Sequence, residues 1–384
     1  MTDTIPPTRP LHGIRVVEIG TSVAAPYAAW ILGALGAEIV KVERPDTGDD
    51  ARQWGRLFPD GRSSFFLAMN QNKQGITVDL KNSEQRQWLF EYCIARADVV
   101  IQNMRPGRIE EIGLGPLDLT SANKRLIYCN LGAFGRVGPL KDNAGYDPLM
   151  QAYGGLMSIT GEEGRPPVRV GVSIIDMGTG MWSAIGIISA LFRREETGQG
   201  CVVDCSLFET ALAWTTNQMT TVQVDQRDLE RLGSGARGMA PYQAYQCSDG
   251  YLVIAAPNDR LFERLCVVLN HPEWKNDPRF KTNQSRFANL LELNEFLEPI
   301  LINETRSYWQ NKLATTGIPC APVQTLLETI SDQQTQALGI LQQTNAGEPK
   351  MMGIPLSFDG ERPELRSMAP SLGEHNHRIK GDTV

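Results

Sequence analysis

Residues 14–43, IRVVEIGTSVAAPYAAWILGALGAEIVKVE, decide the fold. Residues 14–19 are a short apolar run of strand type, and 26–35 (PYAAWILGAL) read as a helix with proline suited to its first turn. Gly36 stops that helix, and 37–43 form the next strand. The pattern repeats outward: a strand over 75–80, a helix over 83–96 capped by Ser83, and strands over 98–102 and 126–131. Strands alternating with helices predict an α/β domain whose sheet is mainly parallel, with helices on both faces. Ligands of such sheets bind beyond the carboxyl ends of the strands, which points to the loops 20–25, 44–55, 103–108 and 131–146. The first opens GTSVAAP rather than GxGxxG, so a simple NAD enzyme is disfavoured.

Farther along, 170–175 read as an apolar strand, followed by the uncharged run MGTGMWSAIGIISALF over 177–192. Its glycines and small side chains suit a tightly packed buried helix. A turn at 197–200, a strand over 201–205 and another helix complete the first unit, and 224–238 read as a linker. A second unit opens with a strand over 251–256 and continues with helices near 260–269, 290–301 and 307–315. The tail after residue 346 is expected to return onto the first unit.

The chain has 384 residues, room for two domains. Its 37 basic residues against 44 acidic ones give a net charge of −7, which argues against a nucleic-acid partner. With 41% apolar and 21% charged residues, wholesale disorder is excluded. The longest uncharged stretch, 19–37, contains Pro26 and three glycines and reads as strand, loop and helix, so no membrane segment is expected. MTDTIPPTRP lacks the basic start and apolar core of a signal peptide. Seven scattered cysteines without a CxxC pair, and only four histidines, point to no disulfide framework and no metal site. Reduced thiols in a cytoplasmic protein are expected.

Asp176 stands where an apolar strand meets the uncharged helix, and it reads two ways. It is either the N-cap of that helix or a carboxylate held ionised by the helix N-terminus and able to act as a nucleophile. Arg44, Lys73, Lys81, Arg105 and Arg108 gather near strand ends in an otherwise acidic chain. Such a collection points to a polyanionic ligand, with solvated surface charge as the alternative for any one of them.

Ordered blocks now become visible: LHGIRVVEIGTSVAAPYAAWILGALGAEIVKVERPDTGDDAR, NQNKQGITVDLK, VIQNMRPGRIEEIGLG, AGYDPLMQAYGGLMSITG, GVSIIDMGTGMWSAIGIISALFRREETGQG, GIPCAPV and SLGEHN. With these the chain resembles the class III (family III) CoA-transferases along nearly its whole length, and within them the succinyl-CoA:glutarate type. The resemblance implies a large Rossmann-like parallel-sheet domain, 1–223 completed by 335–384. It also implies a smaller α/β domain, 239–334, beyond the linker 224–238, and an interlocked homodimer. Coenzyme A or an acyl-CoA would be a substrate, a carboxylic acid the other, with no metal. The family's nucleophilic aspartate falls on Asp176. Its CoA contacts fall on Ser22, Val23, Arg44, Val78, Asp79, Leu80, Lys81, Asn103, Met104, Arg105, Ala144, Gly145 and Tyr146. Trp54 coincides with an active-site tryptophan of some members.

Departures from the family narrow the substrate. Its oxalate enzymes carry a glutamine where this chain has Val23, and a denser glycine run where it reads GSGARGMAP over 233–241. Related racemases use a histidine in a G-H-D block that here reads Gly145-Tyr146-Asp147, which leaves one of two acid–base groups missing. An acyl-CoA racemase or isomerase, a formyl-CoA:oxalate transferase and a non-catalytic CoA-binding protein stand as the alternatives. Gly233, Gly235 and Gly238 would bring backbone N–H donors to an oxyanion, or else merely loosen a linker. A dicarboxylate acceptor calls for an arginine on its distal end, and Arg237 and Arg52 are the candidates.

Overall fold

Strand β1 (Arg15–Ile19) sits at the centre of a six-stranded sheet in which every pairing is parallel. Its partners are β2 (Glu38–Glu43), β3 (Lys73–Thr77), β4 (Val99–Gln102), β5 (Ile127–Gly132) and β6 (Val202–Ser206), in the order β3-β2-β1-β4-β5-β6. This is the computed structural model of the chain, and it describes residues 8–381; residues 1–7, on which most of the signal-peptide expectation rests, and 382–384 lie outside the described residues. Successive strand residues face opposite sides. Val16, Ile39, Val99 and Ile127 pack on one layer of helices, while Val17, Val40, Val100 and Tyr128 pack on the other. Burial of both faces explains why these strands read as nearly continuous apolar runs.

Helix α1 (Ala24–Ala34) ends at Gly36, whose φ of +105° is the left-handed conformation that stops the helix. Helix α2 (Ser83–Arg96) has the expected span, but its cap is Asn82 rather than Ser83: Asn82 Oδ1 accepts the amides of Glu84 and Gln85. Helix α3 (Asp147–Tyr153) leads toward the segment expected as a strand over 170–175. Among the described residues that segment pairs with no strand; Val170 N–H goes to the side chain of Gln151, and helix α4 (Ile174–Thr197) already begins at Ile174. Helix α4 crosses α1 closely, since a Cβ on Gly180 would lie 2.8 Å from the carbonyl oxygen of Ala24. It is not buried all round. Met181, Trp182, Ile185 and Phe192 face outward, Phe192 with 74% of its surface exposed.

The chain divides into two compact units, the first comprising Met1–Leu156, Arg169–Arg227 and Gln334–Val384, the second Met157–Val168 and Asp228–Gln333. Much of the segment expected as a linker over 224–238 is therefore part of the second unit. Gly233 N–H bonds the carbonyl of Gly161, and Glu162 bridges Leu232, which ties 157–168 to it. The second unit holds an antiparallel sheet of β7 (Tyr242–Cys247), β8 (Gly250–Ala255) and β9 (Cys320–Pro322). Helices Asp259–Val268, Leu290–Leu301 and Arg306–Ala314 pack on it through Phe262, Leu297 and Trp309. In the first unit the C-terminal tail closes the open edge of β3: His375 Nδ1 accepts from Gly75 N–H at 3.2 Å and Asn376 Oδ1 from Thr77 N–H at 2.9 Å. Covering that edge removes a row of unpaired amides.

Beneath the sheet lies a fully buried ion network. Glu18 accepts from Lys41 Nζ at 2.9 Å and from Lys73 Nζ at 2.7 Å, and Lys41 also reaches Asp49 at 3.0 Å. Lys73 completes its shell with the carbonyl of Pro26 and Asn70 Oδ1, each at 2.8 Å. Two ammonium groups thus face two carboxylates. Burial works to raise Asp49, but Lys41 and the amides of Ser22 and Ala51 override it and leave the carboxyl below its ordinary value. Removing one member of such a set leaves an uncompensated buried charge. Glu18→Gln is expected to cost about 3–5 kcal/mol of stability, read from the urea midpoint, because Lys73 then loses its one carboxylate.

Candidate active site

Loops at the carboxyl ends of β1, β2, β4 and β5 enclose a cavity of about 460 Å³, with the first turn of α4 in its wall. The β1 loop is pinned on both sides. Ser22, at φ +71°, holds a conformation that non-glycine residues rarely adopt, and its N–H donates to Asp49 Oδ1 at 3.0 Å. Thr21 N–H donates to Asn103 Oδ1 at 3.0 Å, and Asn103 Nδ2 returns a bond to Thr21 O at 2.8 Å. The buried network therefore reaches, through Asp49, to the cavity floor.

Asp176 is the third residue of α4 and half-buried in the cavity wall, so it is not the N-cap. The capping work falls to Asp147. Its Oδ2 accepts the amides of Ile175 at 2.7 Å and Asp176 at 3.1 Å, while Oδ1 accepts from Gln151 Nε2 at 2.5 Å. The N–H groups that would have favoured an ionised Asp176 are thus spent on another carboxylate. Burial first, and the negative charge of Asp147 second, push the Asp176 carboxyl up to about 7. The expectation of a side chain held ionised by the helix end is corrected accordingly. The result is a carboxyl more basic than usual, a better nucleophile once ionised.

Of the residues singled out from the sequence, Ser22, Val23, Trp54, Asn103, Met104, Arg105, Ala144, Gly145, Tyr146 and Asp176 line this cavity. Trp54 meets Phe65 edge-on with ring centroids 5.5 Å apart. The collected basic residues do not act as a set. Lys73 is wholly buried on Glu18, Arg108 is paired with Glu111, and Arg44 is bound to Gly48 O and Asp50. Lys81 is exposed outside the lining, as Asp79 and Leu80 are outside it, and Val78 is core. Arg105 is the one basic side chain lining the cavity among the described residues, and among those residues no carboxylate lies within ion-pair distance of it. Arg52 is taken up elsewhere: its guanidinium donates twice to Glu43 and once to Pro370 O, with Phe66 3.8 Å beneath it. It cannot serve a distal carboxylate without giving up a buried partner.

Gly233, Gly235, Arg237 and Gly238 belong to the second unit. The amides of Gly233 and Gly235 are already donated to Gly161 O and Leu232 O, and Arg237 bonds Glu230 O at 2.6 Å. Sequence reasoning assigned Asp147 no role of its own beyond the Gly145-Tyr146-Asp147 block and did not point to Phe65, Ser173 or Leu207, all of which also line the cavity. Asp147 precedes a proline and reads as the start of its own helix; that it caps α4, 28 residues on, depends on the tertiary fold.

The model of CoA-transferase family III matches residues 11–376. Succinyl-CoA:glutarate CoA-transferase of Mus musculus is 35% identical over 374 residues, covering 97% of this chain and 86% of that protein. Succinyl-CoA–D-citramalate CoA-transferase of Chloroflexus aurantiacus is 35% identical over 382 residues, covering 98% and 95%. A solved CAIB/BAIF family protein from Brucella suis is similar at a TM-score of 0.89 and 35% identity, covering 98% of this chain and 99% of its own. The chain belongs to CoA-transferase family III and is a CoA-transferase.

A carboxyl raised from 3.8 to about 7 costs nothing below its unfolded value and its full penalty above the folded one. Asp176→Asn is therefore expected to raise stability by ~2–4 kcal/mol above neutrality and to leave it nearly unchanged at acidic pH. Melting curves of both proteins at pH 8 and pH 4 measure the difference.

Proposed function

We propose that the enzyme moves CoA from an acyl-CoA, succinyl-CoA in our reading, to a carboxylic acid such as glutarate, through an aspartyl-CoA thioester on Asp176. The observation that carries this is the half-buried Asp176 carboxyl, raised to about 7 and facing a cavity of about 460 Å³. The donor and the dicarboxylate class of the acceptor are supported by relatives named for succinyl-CoA with glutarate or D-citramalate.

In the first step an Asp176 oxygen attacks the thioester carbonyl carbon. The C–S bond breaks, CoA leaves as thiolate, and the donor acyl group is joined to Asp176 as a mixed anhydride. The thiolate then attacks the aspartyl carbonyl carbon and expels the donor acid as a carboxylate, leaving CoA on Asp176. The acceptor carboxylate runs the same two steps in reverse. Attack removes the negative charge from Asp176 beside Asp147, so repulsion present in the resting pair is relieved as the reaction proceeds. Ser22, Val23, Asn103, Met104, Ala144, Gly145 and Tyr146 would border the CoA, with Arg105 facing its anionic part.

Acyl-CoA alone should leave CoA on residue 176, trapped by hydroxylamine as an aspartyl hydroxamate and located by mass spectrometry. Asp176→Ala and Asp176→Asn should lose the adduct and turnover by roughly 10⁴-fold or more while still binding CoA. A label on Asp147, or an active Asp176→Ala enzyme, would overturn the assignment. Because the anion is the nucleophile, the acyl-CoA half-reaction should rise with pH through about 7. Turnover of succinyl-CoA against a panel of mono- and dicarboxylates identifies the acceptor. A racemase reading would instead require α-proton exchange of a 2-methylacyl-CoA in deuterated buffer.

A second copy of the chain is the partner we propose for the outward face of α4. Met181, Trp182, Ile185 and Phe192 follow one helical stripe and are 44–74% exposed. Ile185→Glu should lower the mass measured by light scattering from dimer toward monomer; an unchanged dimer would place the interface elsewhere.

A further inference from the structure

Asp147 and Asp176 share one wall of the catalytic cavity, and the protein provides for them unequally. Three N–H groups point at Asp147: the amides of Ile175 and Asp176 at Oδ2, and Gln151 Nε2 at Oδ1. The Asp176 carboxyl receives no donor among the described residues. Hydrogen bonds to a carboxylate favour its charged form, so the pair gives up its first proton at Asp147.

Gln151 is what leaves Asp147 no other role. Its side chain is wholly buried and stands one turn beyond Asp147 on α3. Its Oε1 accepts the amide of Val170 at 2.8 Å, four residues before α4 begins. A main-chain N–H can only donate, so the side-chain amide cannot turn over without setting two donors against each other. Nε2 is thereby aimed at Asp147, which must accept. With the helix amides both at Oδ2, Oδ1 would otherwise be open to a proton.

Other titratable groups around α4 are few. The cavity walls add Asp50, paired with Arg44, together with Arg105 and Tyr146. Tyr27 comes from α1, and Glu209, bonded by Ser206 Oγ, from the helix Leu207–Trp214. Cys129 of β5 and Cys205 of β6 meet α4 at Ser183. Of all these, the charge that bears on Asp176 is that of Asp147.

We infer that Gln151 is a positioning residue: by donating to Asp147 it keeps that carboxylate the anion of the pair and leaves the pair's proton on Asp176 in the free enzyme. Gln151 does not line the cavity. A residue outside the site therefore sets the acidic limit of activity, because Asp176 must first lose its proton to solvent. That consequence rests on Asp176 as the nucleophile; the placement of the proton does not.

Infrared difference spectra of the free enzyme at pH 5 read the proton directly. Wild type minus Asp176→Asn should show the C=O stretch of a carboxylic acid, and wild type minus Asp147→Asn a carboxylate. Gln151→Glu can donate to Asp147 only as an acid, so it should gain a further carboxylic-acid band at pH 6, where an exposed glutamate is ionised. The pH dependence of the acyl-CoA half-reaction reads the consequence. Asp147→Asn keeps an oxygen for the helix amides but loses the charge, and should lower the midpoint by about one pH unit. Gln151→Met should lower it by less, and should add nothing beside Asp147→Asn, since it acts through that residue. An acid band that belongs to Asp147, no added band in Gln151→Glu, an unmoved midpoint in Gln151→Met, or a shift that persists beside Asp147→Asn would overturn the inference. The spectra do not depend on which residue reacts, so a failed trapping experiment and a failed proton assignment are read separately.

Discussion

Glu18 accepting two ammonium groups beneath the sheet is the contact on which the rest of the first unit depends. Three adjacent strands meet at that carboxylate: it sits on β1, Lys41 on β2 and Lys73 at the start of β3. Lys41 passes the constraint on to Asp49 and to the carbonyl of Gly20, and Asp49 in turn holds the amide of Ser22. A charge balance in the dry interior thus becomes a backbone conformation at the cavity floor. Hydrophobic packing alone would not impose it, because apolar contacts have no direction. An ion pair bound at several points does, at a desolvation cost that packing elsewhere must offset.

The cavity at the carboxyl end of the sheet uses burial to the opposite purpose. Around Glu18 charges are paired; around Asp176 a second carboxylate, Asp147, has been set against the first and given the helix amides. Electrostatics that would have stabilised an ionised Asp176 stabilise its neighbour. The fold accepts the penalty because a carboxyl that titrates near neutrality can both bear charge and give it up.

The parallel sheet was legible because strands buried on both faces read as apolar runs, and five of its six strands lie within about two residues of expectation; β3 starts at Lys73 because that lysine is drawn in to Glu18. β7, with glutamines and tyrosines, and the three-residue β9 carried too little apolar pattern to be seen. Asp176 was legible as a lone charge entering an apolar run, whereas the role of Asp147 was not, since nothing local distinguishes a residue that caps its own helix from one that caps another. Arginines were the least readable. Arg44 and Arg52 stand near the right motifs, but whether a guanidinium is free or committed depends on partners such as Glu43 and Pro370 O. One signal was open to use: Glu18 and Lys41 each interrupt a buried strand, and a charge in such a place implies an opposite one beside it.

The tail that closes β3 joins residues 75 and 375, a separation of 300 along the chain. During synthesis on a ribosome, the first strands emerge long before the segment that covers their edge. The nascent first unit therefore waits, with β3 open, until the second unit and the segment around residue 375 have been made. Contacts so distant are the slowest to form, and an unpaired edge is the feature most prone to capture by another chain. For this fold the hazardous interval lies in translation, and loss of the segment carrying His375 and Asn376 would extend that interval to the lifetime of the protein.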